Sequence, residues 1–300
     1  MKIKILTLII ILNVFPIVMA SAKGETSPTR LAESKRDGGG DMKKDIEYGK
    51  AGDEKLLLDV NSPNGDGPFP IAIIVHGGGW TRGDKQGEEG EKVLFAPLVD
   101  ANFVVVSINY RLAPKYKWPA CIDDVLTAIK WVKANGAKYK GDTDKIALFG
   151  YSAGGQLACL SAVIAEKETT VQAVVGLAAP TDLVFDSLRR GNVSSYLKDL
   201  FGLQGADVNT PQTVQVLWEA SPINHLQKGL PPFLLVHGTA DKSVPYQLSL
   251  NFQDRLKEFK VPCEMITIDG ASHKIAEWDK FDADYAKKIV AWLNKTLNKK

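Results

Sequence analysis

Three cysteines in 300 residues are too few for a disulfide scaffold. Cys121, Cys159 and Cys263 lie in apolar or helical contexts and read as buried thiols. Charge of one sign is also lacking: 37 Lys and Arg stand against 35 Asp and Glu, a formal charge of +2. No basic patch points to nucleic acid. No apolar run reaches the roughly 20 residues that cross a bilayer. Only four histidines occur, and none has metal-ligand spacing to its neighbours. No metal or organic cofactor is expected. What remains is an average globular composition, with 45% hydrophobic and 24% charged residues. That is enough apolar surface to offset chain entropy, so disorder is not the main state.

The first 22 residues stand apart. A basic start, Met1-Lys2-Ile3-Lys4, leads into a mostly apolar stretch and then Ala20-Ser21-Ala22. This pattern predicts a secretory signal peptide cleaved after Ala22 and a secreted or periplasmic protein, with no stable membrane insertion after cleavage; the alternative is a retained membrane anchor, for which the apolar stretch is short and Pro16 ill placed. Removing it takes two lysines and no acids, leaving 35 basic and 35 acidic side chains. Residues 23–44 are polar and include Gly38-Gly39-Gly40, the composition of a flexible leader. The remainder, 45–300, is expected to be one domain.

Within it, short β-branched runs alternate with helical periodicity. Strands are predicted at 46–50, 55–60, 71–75, 103–107, 145–149, 171–177, 233–236 and 264–268. Helices are predicted at 119–134, 153–165, 247–259 and 281–297. Continuously apolar strands separated by helices imply an α/β fold with a mostly parallel central sheet and helices on both faces. Residues 182–230 carry no strand and are too long for an ordinary connection. They are expected to be a small helical insertion, either one wall of a pocket or surface decoration.

Four segments carry chemistry, each at the end of a predicted strand. Gly150-Tyr151-Ser152-Ala153-Gly154-Gly155 sits between a strand and a helix. That context suits a nucleophile elbow, in which glycines two residues either side leave room for a tight turn. Otherwise Ser152 simply caps a helix. A serine hydroxyl needs a base. His273 lies five residues past the last strand and fits the chain order serine, acid, histidine. His237 reads as a turn histidine, and His225 and His76 as structural ones. The acid is expected to be Asp241, which follows the strand at 233–236 by a short turn. Asp182 and Asp269 are its rivals. His76-Gly77-Gly78-Gly79-Trp80 follows the strand at 71–75, and its unobstructed amides could hold an oxyanion. The expected donors are Gly78 and Gly79 with the Ala153 backbone. A phosphate loop is the weaker reading, because no lysine follows at the required spacing. Trp80, Tyr110, Tyr151, Trp218 and Trp278 are candidates for a substrate cleft, although aromatics at such positions are as often core.

These segments, with Asn109-Tyr110-Arg111-Leu112-Ala113-Pro114 and residues 235–245, resemble the α/β-hydrolase superfamily over most of 45–298. Within it the chain is most similar to carboxylesterases of the hormone-sensitive-lipase-like group and the acetylxylan and feruloyl esterase group. The resemblance implies Ser152, Asp241 and His273 as a triad and Gly78, Gly79 and Ala153 as oxyanion donors. It also implies an ester or acylated-carbohydrate substrate. Two departures stand out. The polar leader is unlike the longer N-terminal cap of hormone-sensitive-lipase-like enzymes, which favours the capless polysaccharide esterases. The base segment reads Ser272-His273-Lys274 rather than the usual Gly-His-Gly. Three other functions compete: a prolyl-oligopeptidase-type peptidase, for which the chain has no room for a β-propeller; an arylformamidase; and a non-catalytic binding protein of the same fold, which would usually lack a triad member.

Overall fold

The computed structural model describes residues 40–87, 94–203, 205 and 209–298. The signal-peptide reading and the leader up to residue 39 lie outside them. Strand β1 (Asp41–Ala51) already begins four residues ahead of the expected domain start. It pairs antiparallel with β2 (Glu54–Ser62). Then follow β3 (Phe69–Val75), α1 (Phe95–Asp100), β4 (Val104–Ile108), α2 (Ala120–Asn135), β5 (Gly141–Tyr151), α3 (Ala153–Val163) and β6 (Ala173–Leu177). After β6 come α4 (Leu183–Arg190), α5 (Ser195–Phe201), α6 (Pro211–Glu219), β7 (Phe233–Gly238), α7 (Tyr246–Glu258), β8 (Cys263–Ile268) and α8 (Tyr285–Leu297).

The eight strands form one sheet in the order β1-β2-β4-β3-β5-β6-β7-β8. Pairing is antiparallel from β1 to β4 and parallel from β4 to β8. Alternation along the strands divides the core in two. Ile71, Ile73, Val75, Leu148, Val174 and Leu235 face one side, against α2, α3 and α7. Ala72, Ile74, Ala147, Phe149, Val175 and Val236 face the other, against α1 and α8. Both faces of the inner parallel strands are covered, which is why these strands read as unbroken apolar runs, whereas the edge strand β8 is half-exposed. The order reverses between β3 and β5. Carboxyl ends of strands at such a switch point leave a crevice, and the glycine loop and the elbow emerge there.

The described residues of 182–230 hold three short α-helices and a 3-10 helix at Pro222–His225. Each α-helix begins with a side-chain cap: Asp182 accepts from the Phe185 amide, Ser194 from Leu197 and Thr210 from Thr213. Gly191 and Gly202 end α4 and α5 in the left-handed conformation. Capping chemistry, not β-propensity, therefore organises this segment. Asp182 is occupied at its cap.

All three cysteines are free. Cys121 and Cys159 are buried and Cys263 is half-buried. Burial pushes the Cys121 and Cys263 thiols up to about 12. Among the described residues no helix is long and apolar enough to cross a membrane.

A buried ion pair ties the strand-β4 exit to α2. Asp124, 1% exposed, accepts from the Arg111 backbone amide at 2.8 Å and from Arg111 Nη2 at 2.8 Å. Removing the carboxylate strands the guanidinium and an amide, which typically costs several kcal/mol. Asp124→Ala is expected to destabilise the fold by about 3 kcal/mol, read from the shift in the urea unfolding midpoint.

Candidate active site

The elbow is built by contact. A Cβ on Gly150 would lie 2.0 Å from the Gly154 carbonyl oxygen. One on Gly154 would lie 2.1 Å from the Val75 oxygen and 2.4 Å from the His76 oxygen. Only glycine lets the start of α3 sit against β3 and β5 at this distance. Between them Ser152 takes φ 53° and ψ −120°, a conformation that costs a non-glycine residue roughly 1–3 kcal/mol. Its amide is anchored to the Leu177 carbonyl at 2.9 Å. Ala153 opens α3, so its amide has no partner within the helix.

Ser152, His273 and Asp241 come together from three segments. His273 Nε2 is 2.9 Å from Ser152 Oγ, and Nδ1 is 2.6 Å from Asp241 Oδ2. The other Asp241 oxygen accepts the Ser243 and Val244 amides at 2.8 and 2.9 Å. Burial pushes the Asp241 carboxyl up, but contacts from His237 and His273 outweigh it and hold the group far below the usual carboxylate range. It is therefore anionic and can keep the His273 Nδ1 proton in place, leaving Nε2 to face the serine. The rival Asp269 accepts from Thr239 Oγ1 at 2.9 Å and serves the turn instead.

The base loop is clamped. Tyr151 donates its hydroxyl to the His273 carbonyl, and its ring lies against the imidazole at 5.2 Å. Trp278 is buried and donates Nε1 to the Ser272 carbonyl at 2.8 Å. Ala240 N–H reaches the Ala271 carbonyl at 3.0 Å, tying the acid loop to the base loop.

Gly78, Gly79 and Trp80 line a cleft of about 580 Å³ with Tyr151, Ser152 and His273. Both glycines have positive φ, 103° and 61°. A Cβ on Gly78 would meet the Arg82 carbonyl at 2.2 Å, and one on Gly79 the Tyr196 ring at 2.8 Å. Trp80 Nε1 donates to Gln156 Oε1 at 2.9 Å, and Gln156 donates onward to the Ala220 carbonyl. Gln156 escaped the sequence reading, although a lone amide inside the apolar run of α3 is a visible signal. His76 is buried, bonded to its neighbour's carbonyl and stacked on Tyr110 at 4.2 Å. Burial pushes its pKa down to about 4. This packing fixes the loop's root and leaves His76 no path to a reacting atom.

The other aromatic candidates lie elsewhere. Tyr110 is buried away from the cleft, its hydroxyl on the His76 carbonyl at 3.1 Å. Trp218 is 48% exposed and sits edge-on to His225, outside the cleft lining. Trp278 serves the core. The cleft takes its far wall from the 182–230 segment: Leu183, Asp186, Arg190 and residues 194–197. Arg190 bonds Asp186 at 2.8 Å and donates to the Ser243 carbonyl, so this wall grips the acid loop. Among the described residues no three His, Cys, Asp or Glu side chains gather as a metal site.

The arrangement supplies a serine with an aligned base and an anionic orienter, in a cleft that the glycine loop also lines. That is what nucleophilic attack on a carbonyl requires. Gly154→Ala must displace α3 from β3. It is expected to cost about 2–3 kcal/mol of stability and to slow labelling of Ser152 by a fluorophosphonate at least about tenfold, measured by urea denaturation and gel-based labelling.

A family model, BD-FAE, matches residues 58–256. The match runs from within β2 to within α7 and takes in the glycine loop, the elbow and Asp241. Among curated relatives, "Probable carboxylic ester hydrolase LipM" of Mycobacterium tuberculosis (strain ATCC 25618 / H37Rv) is 36% identical over 71% of this chain and 51% of that protein. "Esterase LipC" of the same strain is 33% identical over 69% of this chain and 53% of that protein. The chain thus spans about half the length of the curated relatives it matches. Among solved structures, "Truncated form of carbohydrate esterase from gut microbiota" superposes with a TM-score of 0.75 at 25% identity, covering 88% of this chain and 98% of that one. "Bifunctional GH43-CE Bacteroides eggerthii" gives 0.70 at 27% identity, covering 85% and 38%. The sheet order, the elbow and these matches agree, and the chain belongs to the BD-FAE family with the α/β-hydrolase fold.

Proposed function

We propose that this protein is an exported serine esterase that hydrolyses short-chain acyl or aryl carboxylic esters, including acetyl or feruloyl groups on plant polysaccharide. The observation that carries the reading is the unbroken relay from Ser152 Oγ through His273 to Asp241, 2.9 and 2.6 Å per step, beside the Gly78–Gly79 amides. The relatives named as an ester hydrolase and an esterase and the neighbour titled as a carbohydrate esterase support the chemistry and the substrate class. Export rests on the pattern of the first 22 residues.

In this mechanism His273 Nε2 takes the Ser152 proton as Oγ attacks the ester carbonyl. The tetrahedral oxyanion is held by the amides of Gly78, Gly79 and Ala153, each contributing about 3 kcal/mol. His273 then returns the proton to the departing alcohol, leaving the acyl group on Ser152. Water, activated by the same imidazole, releases the acid. Asp241 stays ionised throughout and stabilises the imidazolium. The 182–230 wall narrows the cleft around the group bound to the serine.

The test is a panel of p-nitrophenyl acetate, butyrate and longer esters, methyl ferulate and acetylated xylan, on the purified chain. Turnover is expected on the acetyl ester and on acetylated xylan, falling with acyl length. Failure to cleave p-nitrophenyl acetate overturns the reading. Ser152→Ala is expected to lower turnover roughly a thousandfold or more with an unchanged melting curve. Near-normal activity in that variant would remove the assigned nucleophile.

A further inference from the structure

His237 has no part in the relay as written, yet its ring also faces Asp241, behind the His273 contact. It is the penultimate residue of β7, is fully buried, and places Nε2 3.0 Å from the Val244 carbonyl and 3.3 Å from Asp241 Oδ2. A carbonyl and a carboxylate only accept, so the proton sits on Nε2. On the other side Nδ1 is 2.7 Å from Ser249 Oγ of α7, and Ser249 is also fully buried. The serine hydroxyl can donate to Nδ1 and so fix the tautomer. The edge of the Tyr246 ring packs on the imidazole at 5.7 Å. The titratable groups facing His237 are therefore Asp241 on its own turn and Tyr246 on α7, with His273 reached through the shared oxygen.

Two features go beyond a turn histidine filling space. First, the Val244 carbonyl that receives the His237 proton belongs to the residue whose own amide donates to Asp241 Oδ1. One imidazole thus pins the turn that orients the carboxylate. Second, Asp241 Oδ2 faces two imidazole nitrogens, Nδ1 of His273 at 2.6 Å and Nε2 of His237 at 3.3 Å. The positive end of the His237 N–H dipole beside that oxygen competes with His273 for its charge.

We propose that His237 is a positioning residue for Asp241, holding the acid turn through the Val244 carbonyl and setting how much of the carboxylate's charge reaches His273. The proposal rests on the esterase reading above and adds His237 as a fourth side chain and Ser249 as the anchor of its imidazole. Removing the His237 donor leaves Oδ2 more strongly coupled to His273 and the turn less well fixed. The base then protonates at higher pH, and the relay spends less time aligned.

The experiment compares the wild-type chain, His237→Leu and His237→Gln. It measures kcat and KM for p-nitrophenyl acetate, the pH profile of kcat/KM, and the rate of Ser152 labelling by a fluorophosphonate. His237→Leu is expected to lower kcat and labelling about tenfold or more, with KM moving less than about threefold, because the effect lies in alignment and not in substrate binding. The midpoint of its acid limb should rise by about half a pH unit or more. Gln can place an amide N–H near the same carbonyl and should recover most of kcat and the wild-type midpoint. A folded His237→Leu with wild-type kcat and midpoint overturns the proposal. So do equal losses in Leu and Gln with an unmoved midpoint, the signature of packing alone. Should His237→Leu not fold, Ser249→Ala releases only Nδ1. A smaller kcat loss with the midpoint moving the same way supports the proposal, and an unchanged profile overturns it. A wild-type chain that labels at Ser152 but cleaves no ester strikes the esterase reading alone. The labelling rates of the variants then still decide the role of His237.

Discussion

The architecture depends on one close approach, that of the first turn of α3 to the carboxyl ends of β3 and β5. At Gly154 the backbone of β3 stands where a side chain would begin, 2.1 Å from the position of a Cβ. That contact goes with a positive φ at Ser152 and sets the serine in the cleft that the glycine loop lines. The strain at one residue is sustained because both flanking strands are buried on both faces. A strand with one wet face would have room to relax and would lose the serine's pose.

The acid and the base are held differently. Neither belongs to regular structure, so their precision comes from hydrogen bonds between loops. Ala240 meets Ala271, Thr239 Oγ1 meets Asp269, and Tyr151 and Trp278 hold the base-loop carbonyls. Tyr151 lies next to the nucleophile in sequence and stacks on His273 in space. One side chain therefore sets the base relative to the serine, which explains a bulky aromatic at a position otherwise surrounded by small residues. Asp241 has both carboxylate oxygens engaged, so its desolvation is offset by donors that also fix its direction.

Much of this was legible in the sequence, for identifiable reasons. All eight strands were expected; the inner ones stand out because strands buried on both faces are continuous apolar runs, whereas β1 and β8 are edge strands with exposed positions. The serine, acid and histidine were legible because each sits at a strand end in a fixed chain order. Helix α1 was missed: six residues with a proline inside carry too little periodicity. The roles of the aromatics were not legible either. Trp80 lies in the cleft, whereas Trp218 and Tyr110 lie outside it, and nothing in the local sequence separates these cases. Which way a side chain points depends on partners distant in sequence, such as Gln156 for Trp80, 76 positions away, or the His76 carbonyl for Tyr110, 34 positions away. The same holds for His237, whose partner Ser249 lies 12 positions on, in the first turn of α7.

The 182–230 segment shows how such distant contacts couple a variable wall to a fixed centre. The sequence left it as either pocket wall or decoration. In the fold it touches the machinery at three points: Tyr196 against Gly79, Arg190 on the Ser243 carbonyl, and the Ala220 carbonyl on Gln156, which in turn holds Trp80. These three points reach the glycine loop twice and the acid turn once. A change in the wall that alters what the cleft admits therefore also loads the amides and the carboxylate that would do the chemistry. What the cleft admits and how its supporting loops are held therefore depend on the same cleft-facing side chains of α4 and α5, whereas the outward residues Phe185 and Leu188 lie outside the cleft lining.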